Sequence, residues 1–216
     1  MRVVRRIREI MREEGAIAVF AKAQARISRG IYHHEHYLIF SRTFKDLEGA
    51  RGPAGLPVVS LSSPSEMETA PHDVIEAVAP VRKRLDRHLV QEGMLFCVIV
   101  NGFIAHQSWV ATRAFATVDQ IAPHLKYERS AYIGRCETLP AFRGQGLYPY
   151  VLLTICGVLA KKGFAEAVLT VAPDNRSSIA GVKKAGFREK GKGELITLLG
   201  KSFWRQVMEV HDNKKQ

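Results

Sequence analysis

Hydrophobic and polar positions along this chain switch period several times, and the switches outline an alternation of helices and strands. Val3, Val4, Ile7, Ile10 and Met11 fall on one side of a helical projection, with arginines on the other. They predict an amphipathic helix within residues 1–30, which Gly15 interrupts. Residues 31–43, rich in aromatic and histidine side chains, read as a first strand. Residues 48–57 hold three glycines and two prolines and read as a loop, followed by a short strand over 58–61. Residues 71–93 have helical periodicity, with Asp73 as the expected cap and Pro80 splitting the element in two. Residues 94–100 are an unbroken apolar run. Asn101-Gly102 is a two-residue hairpin signal, and 103–112 supplies the partner strand. Another strand covers 131–139.

The second half is more regular. Tyr148, Val151, Leu152, Ile155 and Leu159 recur at helical spacing over 147–162, and Lys161-Lys162-Gly163 is a basic last turn with a C-terminal glycine. Residues 165–171 read as a buried strand. Asp174-Asn175 caps a second helix, closed by Gly186-Phe187, and a late strand covers 194–199. The expected fold class is α/β: a mixed, mostly antiparallel central sheet with helices on both faces. The expected division is a basic helical extension over 1–30, a domain over 31–210 and a polar tail over 211–216.

Composition narrows the class. The 216 residues are 46% hydrophobic, enough for one well-packed domain. No apolar run approaches the ~20 residues that span a bilayer, and the arginine-rich start lacks a signal-peptide pattern. The three cysteines, Cys97, Cys136 and Cys156, have no metal-site spacing, so no metal is expected and a reduced, cytoplasmic setting is. The net charge of +11 gathers in three places: Arg2 to Arg12, Arg82 to Arg87, and Lys183 to Lys192. Such surfaces attract anions, including coenzyme phosphates, lipid headgroups and nucleic acid. Nucleic-acid binding is the weakest of these, because no aromatics interleave with the basic runs.

The segment with most chemistry is Pro140-Ala141-Phe142-Arg143-Gly144-Gln145-Gly146-Leu147-Tyr148, between a strand and a helix. A glycine turn there presents backbone N–H groups at a helix N-terminus, a seat for a pyrophosphate. Downstream come Asn175-Arg176-Ser177-Ser178 and Lys184-Ala185-Gly186-Phe187. With Pro140 to Gly146 in this order, they make residues 130–190 resemble the GNAT superfamily of acyl-CoA-dependent N-acyltransferases.

The resemblance implies that an acetyl group passes from acetyl-CoA, as co-substrate, to a primary amine by direct attack on the thioester. It places pantetheine along Cys136, Glu137 and Thr138. It places the pyrophosphate on the amides of Arg143, Gly144, Gln145, Gly146, Leu147 and Tyr148, with Asn175 and Ser178 nearby. Glu137 is the first candidate base and His106, on the neighbouring strand, the alternative. The family's usual proton-donating tyrosine falls at Val182, which cannot donate, so no general acid is assigned; Tyr148 and Tyr150 read as packing residues. Losing that tyrosine also favours a non-catalytic acyl-CoA-binding or regulatory module as the competing function. The acceptor is left open among small-molecule and protein amines, with the basic balance tilting toward an anionic one. Peripheral contact of the first helix with a membrane and a homodimer are left open too.

Overall fold

In a computed structural model, the described residues are 32–44, 56–113 and 118–208. The helix expected within 1–30, most of the 48–57 loop and the 211–216 tail lie outside them. Eight strands form one sheet: β1 (Tyr32–Thr43), β2 (Val58–Leu61), β3 (Met94–Val100), β4 (Phe103–Ala111), β5 (Ser130–Thr138), β6 (Glu166–Val171), β7 (Arg188–Leu198) and β8 (Lys201–Met208). Their order is β2-β3-β4-β5-β6-β1-β7-β8. All neighbouring pairs are antiparallel except β5 with β6.

Helices α1 (Pro64–Glu68), α2 (His72–Val78) and α3 (Arg82–Val90) cover one face, and α4 (Leu147–Lys161) and α5 (Arg176–Lys184) the other. Sheet side chains divide accordingly. Phe96, Val98, Ile133 and Leu169 pack against Leu152, Ile155 and Leu159 of α4. Leu95, Trp109 and Tyr132 pack against Val78, Leu85 and Leu89 of α2 and α3. Strand β3 is apolar throughout because most of it is buried on both faces. Among the described residues no helix is long and apolar enough to cross a membrane.

Several sequence expectations need adjustment. The turn before α2 is capped by no side chain; Pro71 holds the N-cap position and Asp73 sits in the first turn, where its charge favours the helix dipole. Pro80 does split the segment, by a 3-10 turn over Ala79–Val81. The late strand begins at Arg188, and β8 follows it through a tight turn with Leu199 at φ 50° and Gly200 at φ 78°. Glycines 191 and 193 hide the start of β7 from a hydrophobic pattern. Gly193 has a packing reason: a Cβ there would meet the Trp204 indole at 2.2 Å.

Two features create an opening. β5 pairs with β6 only from Ser130 to Ile133, opposite Glu166 to Leu169. Beyond that point β5 continues beside β4 while β6 continues beside β1, so the parallel strands part. At the same place β5 holds an extra residue: Gln107 faces Glu137, but Trp109 faces Gly134. Arg135 takes up the surplus at φ 47°, a left-handed conformation that a non-glycine residue adopts at some cost.

Candidate active site

The parted strands enclose a cavity of about 560 Å³. The β5 wall is Gly134, Arg135 and Cys136; the β6 wall is Thr170, Val171 and Ala172. Asn175 and Ser178 close one end and Tyr148 reaches in from the start of α4. Four residues from two distant sequence motifs, Cys136, Tyr148, Asn175 and Ser178, therefore meet around one space. They meet because β5–α4–β6 is a helical crossover of the kind that parallel neighbours require, and α5 follows directly from β6.

The glycine turn adopts a left-handed conformation at both glycines. Gly144 and Gly146 sit at φ 77° and 76°, and a Cβ at either would meet nothing within 4 Å, so it is backbone conformation that requires glycine there. The N–H groups of Gly144, Gln145, Gly146, Leu147 and Tyr148 donate to no backbone carbonyl among the described residues. Arg143 differs from expectation: its N–H already donates to the Pro140 carbonyl and its side chain to the Thr138 carbonyl at 3.1 Å. Pro149 costs nothing in the first turn, where its missing N–H would be unpartnered anyway. Asn175 is the N-cap of α5: its side-chain oxygen accepts from the Ser178 N–H at 3.1 Å and the Ser177 hydroxyl at 3.0 Å.

Neither expected base lines the cavity. Glu137 is next to Cys136 on an extended strand and so projects from the opposite face. There it accepts from Gln107 Nε2 at 3.1 Å and lines a separate pocket with Pro80, Val81 and Ile104. His106 is on the correct face but only 1% exposed. Its Nδ1 is 2.7 Å from Thr138 Oγ1 and its Nε2 2.9 Å from Ser108 Oγ. Burial pushes the imidazole down to about 4, so it stays neutral inside this network. Thr138 is engaged with His106 and is not among the residues that line the cavity.

Tyr148 is the residue whose sequence reading changes most. Its ring stacks against His106 with centroids 5.6 Å apart. On its other side is the backbone of α5, where a Cβ on Gly181 would stand 2.7 Å from Tyr148 Cδ1. Its hydroxyl is beside the Cys136 thiol, and burial raises its pKa well above the ordinary tyrosine value. Burial likewise pushes the Cys136 thiol up to about 11. The wall of the cavity thus carries a phenol and a thiol side by side, both favoured in their protonated forms by burial. Val182, by contrast, is fully buried in the core.

Sequence reasoning missed the opposite end. His33, Glu35 and Asp119 also line the cavity. His33 Nε2 lies 3.2 Å from Glu35 Oε1. Asp119 Oδ1 accepts from the Ile121 and Ala122 N–H groups at 2.9 and 3.0 Å, and its Oδ2 from the Tyr132 hydroxyl at 2.9 Å. Thr170 completes this network at 2.8 Å from the same hydroxyl. Glu35 and Asp119 bring two carboxylates to this end, and Arg135, also in the lining, donates to the Val118 carbonyl at 3.4 Å beside them.

No family model and no curated protein matches the chain. Solved structures do match it. A Drosophila protein is 14% identical over 83% of this chain and 57% of its own, with a TM-score of 0.50. A functionally unknown conserved protein from Staphylococcus epidermidis is 9% identical over 79% and 64%, also at 0.50. A GCN5-related N-acetyltransferase from Sphaerobacter thermophilus is 14% identical over 89% and 58%, at 0.49. At these identities the likeness is one of fold alone, and this chain spans less than two thirds of the length of those structures.

Proposed function

We propose that this protein is an N-acetyltransferase that uses acetyl-CoA and takes a positively charged small amine as acceptor. The observation that carries the reading is the row of five unengaged N–H groups from Gly144 to Tyr148, at the N-terminus of a 15-residue helix that feeds into the cavity between parted parallel strands. Such a row suits a pyrophosphate. The unpaired edge of β5 beyond Ile133 suits the amide groups of a pantetheine arm, which would add to the sheet as a short strand. The thioester would then reach the cavity beside Tyr148 and Cys136.

Acyl transfer to an amine needs no covalent intermediate on the protein. Holding amine and thioester in attacking geometry supplies much of the rate. The reacting nitrogen attacks as a neutral amine, the amide bond forms as the C–S bond breaks, and the proton that the nitrogen sheds balances the one the coenzyme thiolate takes up, while a second, protonated amine of the acceptor keeps its positive charge. The Tyr148 hydroxyl is the group we assign to meet that sulfur. Because it holds its proton firmly, it serves first as a hydrogen-bond donor to the developing charge. At the far end, Glu35 and Asp119 favour a cationic acceptor over the anionic one that net charge suggests.

Coenzyme release should be followed with acetyl-CoA against a panel of diamines, polyamines, amino sugars and nucleotide-linked amino sugars. Turnover of the diamines or polyamines, lowered by Glu35→Gln, is the expected result. Tight coenzyme binding without release for any amine would instead favour a binding or regulatory module. Preference for anionic acceptors would overturn the assignment of Glu35 and Asp119.

A further inference from the structure

Strand β1 carries His33-His34-Glu35-His36, and the alternation of an extended strand sends these residues to opposite faces. His33 and Glu35 go to the cavity. His34 and His36 go to the other side, outside any site described above, and there they meet a third residue that lies far away in sequence. In the β1–β7 ladder His36 is directly opposite Glu194. One carboxylate oxygen of Glu194 lies 3.6 Å from His34 Nε2 and the other 3.8 Å from His36 Nδ1. The two imidazole rings are 4.5 Å apart between centroids. Ligand-capable atoms of all three residues fall within 4.8 Å of one another.

The geometry points to a divalent transition-metal site formed by His34, His36 and Glu194, with Zn2+ as its ion. The donor set is two imidazole nitrogens and one carboxylate oxygen, which suits Zn2+ and its neighbours and is a poor choice for Mg2+ or Ca2+. In a tetrahedral zinc site with bonds of about 2.0–2.1 Å the donors stand roughly 3.3 Å apart. The present separations are longer, 3.6 and 3.8 Å from the imidazoles to the two carboxylate oxygens and within 4.8 Å for one donor atom from each residue. Small side-chain rotations close them, since both histidines are exposed and free to turn. Three protein ligands leave a fourth position for water or another small ligand.

Two cations qualify the affinity. Arg205 pairs with Glu194 across β7 and β8, and Lys192 lies two residues along β7 on the same face. Both draw on the carboxylate's charge, so binding will be weaker than at a buried four-ligand centre. The mechanical consequence is specific to this topology. β1 lies between β6 and β7, and an ion held by His34, His36 and Glu194 would fasten it to β7 from outside the sheet.

Calorimetry of the full chain with ZnCl2, with MgCl2 as control, tests the site. One Zn2+ per chain and no response to Mg2+ are expected. His34→Ala, His36→Ala and Glu194→Gln should each weaken Zn2+ binding at least tenfold while keeping the wild-type circular dichroism spectrum. His72→Ala, at an exposed helix pair with Glu76 elsewhere, should change nothing. Should a histidine variant unfold, Co2+ bound to wild type gives a second reading: visible absorption bands from mixed imidazole and carboxylate coordination, lost in Glu194→Gln. Wild-type Zn2+ affinity in Glu194→Gln and His36→Ala, or no Zn2+ binding to wild type, overturns the site.

Discussion

Gly181→Ala adds one methyl group and should damage turnover more than stability. The ideal Cβ would stand 2.7 Å from Tyr148 Cδ1 and 3.3 Å from Cε1. Carbon atoms sit comfortably at about 3.5–4.0 Å, so the phenol ring must retreat by roughly 0.8 Å. Overpacking of this kind costs about 1–3 kcal/mol. Replacing a helix glycine with alanine returns about 1 kcal/mol, since α5 is otherwise regular. The net loss is therefore about 0–2 kcal/mol, a fall in Tm of up to ~8 °C for a chain of this size. The hydroxyl moves with the ring, away from the sulfur it now faces. Misplacing a working group by about 1 Å costs on the order of 10²-fold in rate. Coenzyme affinity should stay within a few-fold, because the amides from Gly144 to Tyr148 are untouched. Tyr148→Phe is the companion variant: it keeps the ring and removes only the hydroxyl. Losing a hydrogen bond to a charged sulfur should cost about 1.5–3 kcal/mol, or roughly 10- to 150-fold in kcat. Wild-type kcat and Tm in Gly181→Ala would refute the wedge of Tyr148 between α5 and His106, and with it the role given to the hydroxyl.

Other expected outcomes follow from the same geometry. Glu137→Gln should leave kcat and its pH profile unchanged, because the carboxylate faces the pocket across the sheet; a tenfold loss with intact folding would return it to the site. His106 should make stability fall with acid: its folded value near 4 lies below the ordinary 6.5, so the unfolded chain binds the proton more readily. The contribution is whole above about 6.5 and lost as pH drops toward 4, by up to about 3 kcal/mol, and a His106→Gln chain should show a shallower dependence in denaturant titrations between those values. Phe40→Ala, in the core on β1, should cost about 3–5 kcal/mol in urea unfolding; a loss under 1 kcal/mol would mean that β1 contributes little to the sheet's core.

The motif half of the chain was legible because its signals are local. A glycine turn, an amphipathic helix, an Asn cap and a Gly-Phe closure each depend on neighbours within a few residues, and α4, β6 and α5 lie within a residue or two of where periodicity puts them. The site's far wall was not legible. Glu35 reaches it because β1 inserts beside β6, a long-range pairing with no local signature, and Asp119 reaches it from the connection between β4 and β5. Glu137 shows the converse: position beside the motif suggested a base, but the extra residue at Arg135 and strand alternation decide which side chains enter the cavity. The same alternation turns one histidine-rich strand into contributions to two different faces. Where Tyr148 packs was not legible because its partner, Gly181, is a residue whose information is the space it leaves.

The most direct measurement is a titration of 15N-labelled protein with coenzyme A, followed by backbone amide NMR. Occupation of the helix N-terminus predicts the largest shifts at Gly144, Gln145, Gly146, Leu147 and Tyr148, with smaller ones at Cys136 and Asn175 and little change at Glu137. Saturable binding that leaves the Gly144–Tyr148 amides unmoved, or no binding at millimolar coenzyme, would contradict the account.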